Sequence, residues 1–440
     1  MQEHAVVSCS GRIGNEADLM TTGLICLVMP FLLSVAATQT SESYGPQPEN
    51  ELGQLLSITW SRGPDLPQGL QDSNGGIIDH MLVTACGFCA GRDNDRKPGK
   101  YPRGFLKKVW ALDLTDETKG WAELPEFPGA ARQGLLAATV GDAIYFWGGF
   151  SYSEPYTHKD GYRLSRIAVE QPPSAVDARS GVPDRQQPRA AVPQSFAWNP
   201  LPPLPWPICG SMCCVIGPKI YVFGGADYNA EAFFTKSDRR GELPRLGARL
   251  ITFDTEHPEA GWRPFTECPG TPRWVAAMAA VKGKIYVLGG ATGDPYCTVV
   301  DNWLYDPARD AWSRLRDLPV ASGNFPAGSI VFQDRYILLG GGYQYPKVAG
   351  SDGATREPYG TPHRFQDKGD YFNDVFVYDT KIGLFGRADS MPLNNNLSMM
   401  LVHGDQLFMI GGETGGAFVE GVFYGHHPEL LLEGRIGIRD

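Results

Sequence analysis

Short hydrophobic runs that end in paired glycines recur along the chain. They read Ile-Tyr-Phe-Trp-Gly-Gly (144–149), Ile-Tyr-Val-Phe-Gly-Gly (220–225), Ile-Tyr-Val-Leu-Gly-Gly (285–290), Tyr-Ile-Leu-Leu-Gly-Gly (336–341) and Leu-Phe-Met-Ile-Gly-Gly (407–412). A degenerate copy, Leu-Val-Thr-Ala-Cys-Gly-Phe (82–88), holds Cys86 where the others have the first glycine. A small or apolar stretch precedes each run, as at 134–140, 211–216 and 274–281, joined to it by a polar turn such as Gly141-Asp142 or Lys282-Gly283. Two apolar runs across such a turn predict a β-hairpin. A third run follows at 109–113, 250–254, 303–306 and 375–379, and a fourth short segment carries Trp121, Trp262 or Trp312, with Trp198 and Phe385 in that place in two copies. Four short strands per unit, repeated in order, predict an all-β propeller, because one such sheet cannot cover its own faces and must stack on its neighbours.

The ends of the repeat predict how the ring closes. The sixth doublet is followed by one more strand, Ala417–Tyr424, and no tryptophan-bearing fourth segment. At the other end Ile58-Thr59-Trp60-Ser61, followed by Leu66-Pro67, is a fourth segment without its first three. The N-terminal strand is therefore expected to complete the last of six blades, leaving no long unpaired edge. The propeller is expected over 56–427, with 428–440 as a C-terminal tail.

These residues resemble the Kelch superfamily over about Trp60 to Tyr424, and the resemblance implies a six-bladed Kelch-type β-propeller. A narrower likeness, to the secreted bacterial N-acetylneuraminate epimerase (sialic-acid mutarotase) branch, rests on the segments 127–133 and 411–416. It rests also on a long fifth-copy insertion holding Tyr359, His363 and Lys368 ahead of Tyr371 and Asp374. It implies a cofactor-free isomerase acting on an acidic sugar. That branch carries a glutamate directly after the fourth doublet and an arginine shortly beyond, as its catalytic pair. Here the segment reads Ala291-Thr292-Gly293-Asp294-Pro295-Tyr296-Cys297, with neither residue, so the chemistry has moved or been lost.

Composition narrows the class. A net charge of −10 argues against a nucleic-acid groove. Residues 23–37 form an apolar run too short for a bilayer span and suited to a signal-peptide core, with Val35-Ala36-Ala37 as a small-x-small cleavage site and Met20 as an alternative start. A signal peptide at 1–37, a polar linker at 38–55 and a secreted or periplasmic protein free of the membrane after cleavage are the expectation. Seven cysteines remain beyond the leader, an odd number, so at least one thiol is free or paired between molecules. Cys86 and Cys89 have half-site spacing, but Cys86 stands in a glycine position, which favours a core residue; no structural metal and no cofactor are expected. The mature histidines are too scattered for a copper oxidase.

Candidate chemistry sits on the second-to-third and fourth-to-next-first connections, which emerge on one face and surround one mouth of the channel. Glu413, beside the last doublet, suits a general acid or base and is paired with Arg132 as the catalytic candidates. Arg132 and Arg273 could fork onto a sugar carboxylate. Asn324, Tyr343, Asn395, Asp227 and His363 are further substrate-binding candidates, with Asp72 and Asn74 nearby. The 343–373 insertion, rich in tyrosine, is expected as an ordered lid. The Pro- and Gln-rich excursion 171–195 leaves the opposite face and is given no catalytic role. Two readings stay open: a propeller that binds or mutarotates an acidic sugar, and a non-catalytic extracellular module that binds protein or glycan.

Overall fold

The computed structural model describes residues 45–439 except 92–100, 153, 169–193, 228–247, 293–296, 350–353, 361–370 and 420–421. The expected leader, most of the 171–195 excursion, Lys368 and His363 lie outside the described residues. Strands dominate, and helix is confined to three short 3-10 turns among the described residues.

Six antiparallel sheets of four strands each use one copy of the repeat. The first comprises Asn74–Ile78, Met81–Ala85, Val109–Asp113 and Trp121–Glu123; the second Leu136–Val140, Ala143–Trp147, Gly161–Ala168 and Gln194–Leu201. The third comprises Met212–Ile216, Lys219–Phe223, Leu250–Asp254 and Trp262–Pro264; the fourth Ala277–Val281, Lys284–Leu288, Asn302–Asp306 and Ala311–Leu315. The fifth comprises Val331–Phe332, Tyr336–Gly340, Val375–Asp379 and Leu384–Ala388. In the sixth, Met399–His403 and Gln406–Ile410 are followed by Leu431–Ile438, and Leu56–Arg62 adds the outer strand, with Leu56 opposite Ile438 and Arg62 opposite Leu432.

Two expectations are corrected here. The third strand of the sixth sheet is Leu431–Ile438, within the segment expected as a tail, whereas Gly416–Val419 and Val422–Gly425 form a separate hairpin. The signal missed was Gly434, whose absent side chain leaves room for Ile58 and Trp60 on the crossing strand. The second concerns the linker, whose residues 47–55 run along the fifth sheet: Gln47 accepts the Phe385 N–H at 3.0 Å and Leu55 donates to the Arg387 carbonyl at 2.9 Å.

The first strands touch in a closed circuit, each sheet's against the next and the sixth's against the first. Hydrophobic layers fill the seams between sheets: Val83, Ala111, Ile144 and Phe146 between the first two, and Leu82, Leu112, Phe408 and Ile410 between the last and the first. Tryptophan indoles add polar ties across the seams. Trp121 donates to the Pro64 carbonyl, Trp198 to Pro125 and Trp312 to Thr266, at 2.8–3.0 Å, each reaching the segment beyond the preceding sheet's outer strand.

The doublets do a specific backbone job. Each is a pair at φ near +60° and then near +100°, a region that costs an L side chain roughly 1–2 kcal/mol. The fifth pair by this measure is Gly341-Gly342, one residue beyond the run read from the sequence, and the first is Cys86-Gly87, with Cys86 at φ 63. The second glycine's N–H then crosses to the next copy: Gly87 to the Arg132 carbonyl, Gly149 to Ile208, Gly225 to Arg273, Gly342 to Asn395 and Gly412 to Leu70, at 2.8–3.0 Å. The last of these links the sixth sheet to the first.

Just before each first strand comes another left-handed residue: Asp72, Gly134, Gly210, Val275, Asn324 and Leu397. Gly134 donates its N–H to the Asp72 carbonyl, Gly210 to Gly134, Val275 to Gly210 and Asp72 to Leu397, so a collar of backbone hydrogen bonds surrounds the axis. Of these, Asp72, Gly134, Gly210, Val275 and Leu397 line one end of an axial cavity. Beyond it the first strands enclose about 210 Å³ walled by Ala137, Cys214, Met278 and Leu401, among others.

Candidate functional site

One residue after each doublet pairs back with the lead-in to its own sheet. The six bridges are Gln71 with Phe88, Gln133 with Phe150, Cys209 with Ala226, Trp274 with Ala291, Gly323 with Tyr343 and Asn396 with Glu413. Six equivalent positions therefore ring the collar, and five are apolar or aromatic. Glu413 is the single acid among them. The fourth of these positions holds Ala291, and the carboxylate stands at the sixth.

Glu413 is nearly buried, and its carboxylate is held from two sides. The Tyr371 hydroxyl donates to Oε1, and His427 Nε2 lies 3.3 Å from Oε2. His427 Nδ1 accepts the Ala90 N–H at 2.9 Å, so the ring proton resides on Nε2 and points at the carboxylate. The hairpin at 416–425 brings His427 there, and Gly425 lets it close, since a Cβ would strike Glu413 Oε2. Burial, and then the charge of Glu413, pushes the Tyr371 phenol far above its usual range. Half-buried Asp72 on the collar is raised to about 7, first by burial and then by the same charge. A carboxylate gripped by two donors beside a carboxyl that holds its proton near neutrality can take and give protons on an adjacent hydroxyl.

Aromatic rings flank this centre. Phe88 meets the His427 ring edge-on at 5.8 Å and contacts Phe105 and half-exposed Tyr152; the Arg103 guanidinium lies 5.0 Å from the Phe88 centroid. On the other side Tyr343 packs 5.4 Å from Tyr371 and 4.8 Å from Tyr345, whose hydroxyl donates to Asn324 Oδ1 at 2.9 Å. Tyr343 and Asn324 are thus joined to Glu413 through Tyr371 and Tyr345.

The other sequence candidates fall elsewhere, and three of them bond groups of the protein itself. Arg132 and Arg273, expected to grip a ligand carboxylate, have their guanidiniums filled by the protein. Arg132 bonds both Asp160 carboxylate oxygens at 2.7 and 3.1 Å and the carbonyls of Ala130 and Gly148 at 2.9 Å. Arg273 repeats the pattern with Asp301 and the carbonyls of Thr271, Gly289 and Asp301. Burial works to raise the Asp301 carboxyl, but Arg273, the Trp303 indole and Arg314 together leave it below the usual range. Asn395 occupies the equivalent position in the sixth copy and donates to the Gly411 carbonyl at 2.9 Å. These three side chains fasten lead-ins to doublets. Asp227 stands beside Thr157, and burial raises its carboxyl. Sequence reading missed Tyr371 as a partner of Glu413, and it missed His427 because 417–424 was taken as a sheet strand.

The tyrosine-rich insertion is tied into a further small sheet, where Val348–Ala349 lies parallel to Cys297–Val299 and pairs with Thr355–Arg356. All seven cysteines among the described residues are free, and burial pushes the Cys86 thiol up to about 12.

The fold and the doublet repeat are similar to those of Kelch-repeat β-propellers. The Kelch motif family matches residues 276–319. The chain is similar to the N-acetylneuraminate epimerase of Haemophilus influenzae (strain 86-028NP), at 24% identity over 379 residues, covering 80% of this chain and 88% of that protein. It is similar also to the N-acetylneuraminate epimerase of Pasteurella multocida (strain Pm70), at 22% over 383 residues with the same coverage. The solved structure of YjhT shares the fold with a TM-score of 0.57 at 16% identity, covering 86% of this chain and 100% of that one. In pattern the chain therefore sides with the N-acetylneuraminate epimerase branch of the Kelch repeats.

Proposed function

We propose that the six sheets are the blades of an exported Kelch propeller that binds an acidic sugar at the collar end of its axis and interconverts its anomers. The observation that carries this reading is Glu413, the one acid among the six post-doublet positions, held by Tyr371 and His427. The relatives named N-acetylneuraminate epimerase supply the substrate class. Glu413 takes the proton of the anomeric hydroxyl, Tyr371 and His427 fix the carboxylate, and the rings of Phe88, Tyr152 and Tyr343 offer stacking faces for the sugar. Arg103, whose guanidinium lies over the Phe88 ring, is the candidate for the sugar carboxylate.

The test is the anomeric interconversion of N-acetylneuraminate followed by proton NMR. The protein should accelerate it, and Glu413→Gln should reduce that acceleration by about 10²-fold or more. No acceleration by the wild type would remove the catalytic reading. Ala291, where the epimerase branch has its acid, favours one alternative, a non-catalytic glycan-binding module; saturation transfer from protein to sugar without acceleration would select it.

A further inference from the structure

The collar offers only two polar side chains, Asp72 and Asn324, among its six left-handed residues. Asp72 is bracketed against the proposed base by the backbone: it donates its N–H to the Leu397 carbonyl, Asn396 pairs with Glu413, and Gly412 donates to the Leu70 carbonyl. Its side chain lines the axial cavity with Ser73, Asn74 and Ser211. The hydroxyls of Ser73 and Ser211 are buried without a hydrogen-bond partner among the described residues. Buried polar atoms left unmatched around a cavity mouth suit a polyhydroxylated ligand.

We infer that Asp72 is the acid that complements Glu413, delivering its proton to the ring oxygen of the bound sugar. This rests on the sugar-isomerase reading above. In the step, Glu413 accepts the anomeric hydroxyl proton, the bond from the anomeric carbon to the ring oxygen breaks, and that oxygen takes the proton of Asp72. The open-chain carbonyl form results, with Glu413 protonated and Asp72 ionised. Rotation and closure on the other carbonyl face run the transfers backwards and restore both groups, so no oxidant, metal or co-reactant is consumed. The ionisable groups around Asp72 are Glu413 and the Cys209 thiol, itself held protonated by burial. Arg132 and Arg273 are turned to Asp160 and Asp301.

The experiment compares wild type, Asp72→Asn and Glu413→Gln in the NMR anomerisation assay between pH 5 and 9, with sugar binding followed in parallel by saturation transfer. Wild-type turnover should fall above about pH 7 as Asp72 loses its proton. Asp72→Asn should lose about 10²-fold in rate and show no alkaline limb, with binding within a few-fold of wild type. Thermal unfolding across the same range gives a second readout. The folded-state value of Asp72 lies above its unfolded one, so its contribution to stability is present below about pH 4 and is lost as pH rises through 7. That slope should flatten in Asp72→Asn. Wild-type rate and an unchanged pH profile in Asp72→Asn would overturn the assignment while leaving the isomerase reading in place; a wild type that accelerates nothing would remove both.

Discussion

Arg132, Arg273 and Asn395 show how one position can look functional and serve the frame. Each stands 16 residues before the first glycine of its doublet and donates to that glycine's carbonyl, as the pairs Arg132–Gly148, Arg273–Gly289 and Asn395–Gly411 show. The arginines carry Asp160 and Asp301 as counter-ions. Removing one partner of a buried pair leaves the other charge uncompensated. Arg273→Ala should therefore lower stability by about 3–5 kcal/mol in denaturant unfolding, and Asp301→Asn in the same chain should recover part of it. An unchanged midpoint with weakened sugar binding would return Arg273 to a ligand role. The sequence shows an arginine beside an apparent mouth but not the aspartate 28 residues on that fills it. Glu413 was legible because the doublet fixes its place, whereas Tyr371 and His427 reach it through tertiary folding alone.

Among elements, the doublets were readable because two left-handed residues in a row favour glycine, and the pattern recurs six times with Cys86 as its one exception. Left-handed geometry and crowding can be separated by experiment. Gly404, at φ 63 in a turn, has open space where a side chain would go, whereas a Cβ on Gly411 would collide with the Leu70 carbonyl. Gly404→Ala should cost about 1–2 kcal/mol, and Gly411→Ala more than about 3 kcal/mol because the seam to the first sheet must open. Equal losses in chemical unfolding would show that conformation, not approach, governs the doublet. The strand Leu431–Ile438 escaped the sequence reading for a related reason. Its glycines at 434 and 437 and its charges at Glu433 and Arg435 look like a tail, yet Gly434 is what the crossing Ile58 and Trp60 require. The hairpin 416–425 misled in the opposite sense, with the alternation of a sheet strand and a different destination.

For the whole molecule, the sixth sheet takes strands from both ends of the propeller, so its integrity depends on residues 431–438. Truncation after His427, harmless if those residues were a tail, should remove the partner of both Leu56–Arg62 and Gln406–Ile410 and abolish cooperative unfolding by circular dichroism. A sharp transition near the full-length midpoint would contradict the role given to that strand. The pairing of Leu56 with Ile438 also bears on the order of events as the chain is made. As synthesis proceeds, Leu56–Arg62 has to wait, unpaired, for Leu431–Ile438 to follow it. Joining ends that far apart carries only a logarithmic entropic cost, but it cannot begin early. The ring is therefore an assembly whose seal is made late, and until then Leu56–Arg62 is an open edge that a chaperone would have reason to hold.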